Sequence, residues 1–306
     1  MIEEINRKFV ETPKMNFEQF KKNFSHHTQI IFICQIALLR VLEITTDQPK
    51  TTKFENQAAG HAGDILKDGE TIFKRYCERE FLFYELIKKL PKIRGFFANY
   101  YGRKSIGKEG IVEHYIVLED LTHGMKQPCI MDLKMAKNTW EPTAPAKKRI
   151  EQATLDKIST SESLGFRICG MRIWQIQSKE YIVRDKPWGM GIKVNQMEAA
   201  LRSFFHNGQT FRTDLIEEVL PQLYDIFEWF KAQRIFRFYG SSILFLYDGA
   251  ETEKPFIRAK MVDFAHTVRI KDGGKDDSYK FGLWTLIDIL EGLLGRKSRM
   301  RSVLSI

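Results

Sequence analysis

The chain is poor in cysteine. It has four in 306 residues, Cys34, Cys77, Cys129 and Cys169, and none are spaced as C-x-x-C. No paired histidine cluster accompanies them, so neither a disulfide framework nor a zinc site is indicated, and reduced thiols fit the cytosol or nucleus. Long apolar runs are also missing. The most apolar stretch, Ile30 to Leu42, is too short to span a bilayer and contains Gln35 and Arg40. No basic start and cleavage site precede it in the manner of a signal peptide. It reads as a buried or amphipathic helix. Internal repeats, low-complexity tracts, a Ser-His-Asp set and a G-x-x-x-x-G-K-[ST] phosphate loop are absent as well.

What the chain does have is a globular composition and an excess of positive charge. At 306 residues it is long enough for two lobes with real cores, and 43% apolar residues with 12% aromatics argue for a globular rather than a disordered chain. The 48 basic against 39 acidic residues leave a net charge of +9. That excess suits an anionic partner: nucleic acid, an anionic membrane, or a polyanionic small molecule.

Residues 1–50 look helical and end in the breaker-rich Thr45-Thr46-Asp47-Gln48-Pro49. Ala59-Gly60-His61-Ala62-Gly63 is a short loop between strand-like runs; its two glycines could approach an anion, but by itself it reads as a plain hairpin turn more readily than as an anion loop. Thr71 to Lys74 reads as a strand. A helix follows, with Phe83, Leu86, Ile87 and Leu90 at helical spacing and Pro91 as its stop. Glu85 lies on this helix. Ile111 to Glu119 is β-prone and runs into Glu119-Asp120-Leu121-Thr122. Thr143 is placed as N-cap of a helix to Ile158, with Pro145 in its first turn and Ala146, Ile150, Ala153 and Ile158 on an apolar side. Lys147 and Lys148 near its start could meet an anion or simply be solvated. Leu164 to Val183 reads as a hairpin turning at Ser178-Lys179-Glu180, and Trp188 to Lys193 as a glycine-broken turn. Helices are expected near 196–205, 213–234 and 279–294, and strands at 236–247 and 259–268. The tail Arg296 to Arg301 is strongly basic.

One stretch stands apart: Pro128-Cys129-Ile130-Met131-Asp132-Leu133-Lys134. Alternation puts Asp132 and Lys134 on the same face of a strand. A carboxylate and an ammonium set among apolar residues are costly near a core. In isolation the pair would be a surface salt bridge. An Asp at the end of an apolar strand and followed by an aromatic, Asp263-Phe264, is a second motif of this kind.

The run from Pro128 resembles the P-x-x-x-D-x-K-x-G signature of the inositol polyphosphate kinases, with Ala136 in place of the usual glycine. Ala59-Gly60-His61, Phe204-Phe205-His206-Asn207-Gly208, Phe238-Tyr239-Gly240-Ser241-Ser242 and Val262-Asp263-Phe264-Ala265-His266-Thr267 follow the same order, so the resemblance covers roughly 55–292 and is nearest to the multikinase branch. It implies an α+β, two-lobed protein-kinase-like fold with antiparallel sheets: an N-terminal extension over 1–50, an N-lobe over 51–121, and a C-lobe over 122–306 with an inositol phosphate-binding helical segment at about 141–163. It implies ATP and Mg²⁺ as cofactors. Lys74 would contact the ATP phosphates and Glu85 would hold it. Glu119 and Leu121 would bind adenine through their backbones. Asp132 would hold either the ribose or the attacking hydroxyl. Lys134 would touch substrate and transferring phosphate, Asp263 would hold the metal, and Ser241 and Ser242 would shape its site. His266, Lys147, Lys148, Gln152 and Lys193 would bind the inositol phosphate. Ala136 is tolerable only if its position does not need positive φ. Met190 stands where a basic residue is usual, which bears on substrate preference.

The implied activity takes inositol trisphosphate to tetrakis- and pentakisphosphate in a monomer of the nucleus and cytoplasm, with phosphoinositide lipids as further candidate substrates. The competing readings are a hexakisphosphate kinase making pyrophosphates and a non-catalytic inositol phosphate-binding scaffold. Nucleic-acid binding would explain the charge but not the Asp132/Lys134 and Asp263-Phe264 pairs.

Overall fold

The computed structural model describes residues 52–53, 65–108, 111–250 and 253–296. The expectations for residues 1–50, for the loop at 59–63 and for the tail beyond Arg296 lie outside these. The chain divides into two compact units. Pro49–Arg103 with His114–Ile306 forms the larger; of the smaller, which contains Lys104–Glu113, only the ends of two strands are described.

The class is α+β with antiparallel sheets. The first sheet has β1 (Thr52–Lys53), β2 (Ile65–Asp68), β3 (Thr71–Arg75), β4 (Tyr100–Lys108) and β5 (Ile111–Glu119) in the order β1-β2-β3-β5-β4. Helix α1 (Glu78–Ile87) follows β3, three residues shorter than its spacing suggested, so Leu90 packs from the turn beyond it. The second sheet has β6 (Pro128–Met135), β7 (Phe166–Gln175), β8 (Glu180–Arg184), β10 (Ser242–Asp248) and β11 (Ile257–Val262) in the order β11-β10-β6-β7-β8. Strand β6 is at its centre, flanked antiparallel by β10 and β7, which is why seven of its eight residues are buried. The expected strand at 236–247 is two strands: β9 (Phe236–Phe238) leaves to pair with β12 (Thr267–Arg269), and Gly240, at φ +70°, makes the break.

Helices close the second sheet. They are α2 (Ala146–Ile158), α3 (Ser161–Leu164), α4 (Lys186–Gly191), α5 (Met197–Phe204), α6 (Thr213–Ala232) and α7 (Asp277–Leu293). Residues Leu215, Val219, Leu223, Ile226 and Phe230 of α6 are all buried, as their spacing requires. Helix α2 departs from expectation. It starts at Ala146 with Pro145 at the cap, and Thr143 caps nothing. Its supposed apolar side faces outward: Ile150 is 68% exposed and Ile158 57%, and the only buried residue of α2 is Asp156. The polar groups of Thr139 and Arg167, which bind Asp156, draw that side inward instead. Residues 186–191 are a helix rather than a turn, because the Asp185 carboxylate accepts from the Trp188 amide at 3.0 Å.

Two contacts fix the core around β6. Phe264 stacks on Phe83 of α1 at 4.1 Å between ring centroids and meets Phe97 and Phe238 edge-on. Helix α7 passes so close to the turn after α3 that a Cβ on Gly282 would sit 2.1 Å from the Gly165 carbonyl oxygen. That same oxygen accepts from the Ala136 amide at 2.8 Å, so α7 and the end of β6 are packed through one turn.

Candidate functional site

The centre of the site is a lysine between two carboxylates. Lys74, on β3, donates to Glu80 Oε1 at 2.8 Å and to Asp263 Oδ1 at 2.5 Å. Burial alone would lower the Lys74 pKa, but Asp263 and Glu80 outweigh it and raise it. The glutamate that holds Lys74 is Glu80, not Glu85. The two are five residues apart on one helix, about 140° around its axis, so only one can face β3. Glu80 is almost fully buried; its Oε1 also accepts from the Phe264 amide at 3.1 Å, which ties α1 to the Asp263-Phe264 turn. Glu85 instead lies beside Tyr100, whose hydroxyl is raised in pKa by burial and then by Glu85.

Asp263 follows β11 with φ +66°, a left-handed conformation that aspartate tolerates better than most residues. Its neighbour Phe264 is anchored in the aromatic cluster, so the carboxylate projects outward, 51% exposed. Burial pulls its pKa up, but Lys74, by charge and hydrogen bond, and then Lys134 hold it below the usual carboxylate range. It is therefore ionised at neutral pH and accessible to solvent.

Asp132 and Lys134 come from β6, where the register places them opposite Leu244 and Ser242 of β10. Asp132 is buried and its pKa is pushed up to about 6, first by burial and further by the charge of Asp263, against the opposing influence of Ser242, Lys134 and Arg167. Its Oδ1 has no hydrogen-bond partner among the described residues, and neither have the hydroxyls of Ser241 and Ser242. The Lys134 ammonium makes no ion pair among them either. It lies under the Gly240 turn, where a Cβ on Gly240 would come 3.8 Å from Nζ and 3.3 Å from the Thr139 carbonyl. Buried polar atoms without partners are rare and point to a ligand. Ala136, at φ +97°, sits in the strained region that its place in the signature would give to glycine; the position does need positive φ.

The connector after β5 is fastened by groups that the sequence did not single out. Glu119 accepts from Asn99 Nδ2 at 2.9 Å and from Arg258 Nη1 at 3.1 Å, and Leu121 is buried beside it. Asp120 accepts from Lys67 and from the Thr122 hydroxyl and amide.

The predicted substrate groups are only partly brought together. His266 Nδ1 lies 3.7 Å from Glu141 Oε1, and its Nε2 lies 3.5 Å from Lys148 Nζ. Burial, then Lys148, keep His266 below its ordinary pKa, so the ring is neutral at pH 7. Glu141 is buried and takes Arg79 of α1 at 2.6 Å, linking that helix to this corner. Gln152 Oε1 is 3.5 Å from the Thr139 hydroxyl. Lys147 and Lys193 are exposed and make no ion pair among the described residues. No signal of spacing marked Glu80, Arg79 or Glu141. The buried Arg167, 3.0 Å from Asp156 and 2.7 Å from Ser161 Oγ, was legible only as a residue of an alternating strand.

Comparison with known proteins bears on this arrangement. The sequence profile of the family described as "Inositol polyphosphate kinase" matches residues 115–291. Rat inositol hexakisphosphate kinase 1 is 31% identical over 232 residues, covering 61% of this chain and 53% of the relative. Human inositol polyphosphate multikinase is 31% identical over 213 residues, covering 64% of this chain and 50% of the relative. The chain thus spans about half the length of the curated relatives it matches. Among solved structures, the inositol phosphate multikinase of S. cerevisiae in complex with ADP and Mn²⁺ superposes with a TM-score of 0.65 at 26% identity, covering 74% of this chain and all of that one. The two-sheet arrangement is that of the inositol phosphate multikinases.

Proposed function

The chain belongs to the inositol polyphosphate kinase family, and from that premise we propose that it carries out ATP-dependent phosphoryl transfer to the hydroxyls of inositol phosphates, as a multikinase that takes inositol trisphosphate to the tetrakis- and pentakisphosphates. The observation that carries this reading is the convergence of Lys74, Asp263, Asp132 and Lys134, brought from two strands and the turn after a third into one electrostatic cluster, with buried acceptors left open among the described residues.

Phosphoryl transfer through a loose transition state needs positioning and charge neutralisation more than covalent help. Lys74, held by Glu80, supplies a fixed cation for nucleotide phosphates. Lys134, which has no ion pair among the described residues, can meet the transferring group. Asp132, buried and with raised proton affinity, suits an acceptor for the attacking hydroxyl, and below its pKa it would lose that capacity. Lys148 and neutral His266 offer the inositol phosphate a donor cation and a ring face, with Lys147, Gln152 and Lys193 as outer contacts. Glu119 and Leu121, braced by Asn99 and Arg258, would offer backbone groups to adenine.

A divalent cation fits the residues present. Among the described residues no three His, Cys, Asp or Glu side chains cluster, so Asp263 would hold the ion together with phosphate oxygens, as Mg²⁺ sites commonly do. When bound, the ion would draw charge from the β- and γ-phosphoryl oxygens.

A second reading, a hexakisphosphate kinase, is favoured by one observation: identity to that relative equals identity to the multikinase. Incubating the protein with Mg·ATP and a panel of inositol phosphates separates the two. Successive phosphorylation of the trisphosphate supports the proposal; turnover of hexakisphosphate alone replaces it, and binding without turnover of any member favours a scaffold. Lys134→Ala is expected to abolish turnover.

A further inference from the structure

A second basic site lies on the other side of the catalytic sheet. Register fixes the faces: Ile130 shares the Asp132 face of β6, pairs with Arg172 of β7, and Arg172 pairs with Val183 of β8. Ile173 and its partner Ile182 therefore lie on the opposite face. There a cavity of about 330 Å³ is walled by Ile173, Gln175, Ile182 and Arg184 of the hairpin and by Ala199, Arg202, Ser203 and His206 from α5 and the turn after it. Its lining contains two arginines, a histidine and an apolar floor, and no acidic residue.

Both guanidinium groups are oriented by aromatic rings. Arg184 lies 5.6 Å from the Trp188 centroid and Arg202 4.2 Å from that of Phe211. Neither has a carboxylate within salt-bridge distance among the described residues. A stacked guanidinium keeps its N–H edge free for a planar or tetrahedral anion. The turn that carries His206 is built rather than loose. The Oδ1 of the buried Asn207 side chain accepts from the Gln209 and Thr210 amides, at 2.9 and 2.8 Å, and Gln175 Nε2 donates to the His206 carbonyl at 3.2 Å. His206 Nδ1 accepts from the Gly208 amide at 3.1 Å, which leaves Nε2 as the ring's donor.

We propose that this cavity is a second anion-binding site, separate from the catalytic face, that takes a phosphate group carried on an apolar body. The two arginines and His206 would hold the anion, and Ile173, Ile182 and Ala199 the body. Such a group can arrive as a free phosphomonoester or on an extended peptide. The latter could add to β8, whose outer edge has no strand neighbour among the described residues and whose Val183 is 63% exposed.

Phenyl phosphate is the probe, followed by the Trp188 indole N–H resonance of the full chain. Saturable shifts are expected, with inorganic phosphate binding at least tenfold more weakly. Binding should weaken at least tenfold in Arg184→Gln/Arg202→Gln and, independently, in Ile182→Asp, while turnover of inositol phosphate is retained in both. A phosphotyrosine heptapeptide that binds tighter than phenyl phosphate and shifts the β8 amides identifies a peptide source; equal affinity identifies a free phosphomonoester. No shift, equal binding of inorganic phosphate, or binding that survives both variants overturns the proposal.

Discussion

Glu80 and Glu85 show what residue-level reasoning from sequence can and cannot reach. That a strand lysine would be held by a carboxylate from the next helix was legible; which carboxylate was not, because the choice depends on where the helix begins and hence on which side of it faces β3. Glu80→Gln is expected to lower kcat/KM by about 10²-fold, through loss of Lys74 position, whereas Glu85→Gln should leave it within a few-fold; steady-state kinetics on the preferred inositol phosphate decide it. Ala136 carries a different lesson. The departure from glycine was visible, but its cost was not until φ +97° was seen. Ala136→Gly should therefore stabilise the protein by about 1 kcal/mol, the relief of strain exceeding the entropy of the added glycine, measured as a higher denaturant midpoint at unchanged slope. Asp132 ties the site to pH. With a pKa near 6 it is ionised at pH 7 and protonated in acid, so kcat/KM should fall below about pH 6 as the acceptor is lost, and Asp132→Asn should be low and flat across that range.

At the scale of elements, the sequence was most informative where periodicity and burial agree. Helix α6 and strand β7 follow their patterns because a deep core rewards them. It was least informative for α2, where the apolar spacing of Ile150 and Ile158 suggested burial, but the polar anchors at Asp156 turned that side to solvent. The break at Gly240 was equally hidden, since a glycine within an apolar run does not announce a change of sheet. Close packing between elements leaves even less trace. Gly282→Ala tests it: a Cβ 2.1 Å from the Gly165 carbonyl must push α7 off the turn that also binds the Ala136 amide. The expected loss is about 3 kcal/mol of stability, with reduced kcat because the end of β6 moves with it. A stability change without any kinetic change would show that the turn does not position Lys134.

For the whole molecule, the carboxylates divide into two groups that act on stability in opposite directions. Asp132 and Asp276 have pKa values pushed up to about 6, by burial in both cases. Asp276 is buried at the cap of α7 and accepts from the Phe238 and Tyr279 amides. A raised folded pKa contributes stability that is fully present below the unfolded value and is lost as pH rises through about 6. Asp214, Asp248 and Asp263 are depressed, each by partners that outweigh burial, Arg212, backbone amides and Lys74 respectively. Their contribution is present above the unfolded pKa and disappears as pH falls through the folded one. Lowering the pH from 7 to 5 should thus protonate the first pair while leaving the second group ionised, adding about 1 kcal/mol per raised carboxylate. The net charge of +9 opposes compaction increasingly in acid, so the comparison belongs at high salt, where that repulsion is screened. His266, whose pKa is lowered by burial and then by Lys148, offsets part of this gain over the same range; with two carboxylates against one histidine, thermal unfolding should still show a higher Tm at pH 5 than at pH 7 and a decline below pH 4. In Asp132→Asn the rise between pH 7 and 5 should shrink by at least half, since one of the two raised carboxylates is gone while His266 still opposes the other. A Tm that falls steadily from pH 7 downward would mean that neither buried carboxylate holds its proton in the folded state, and the acid limb expected for catalysis would then need another origin.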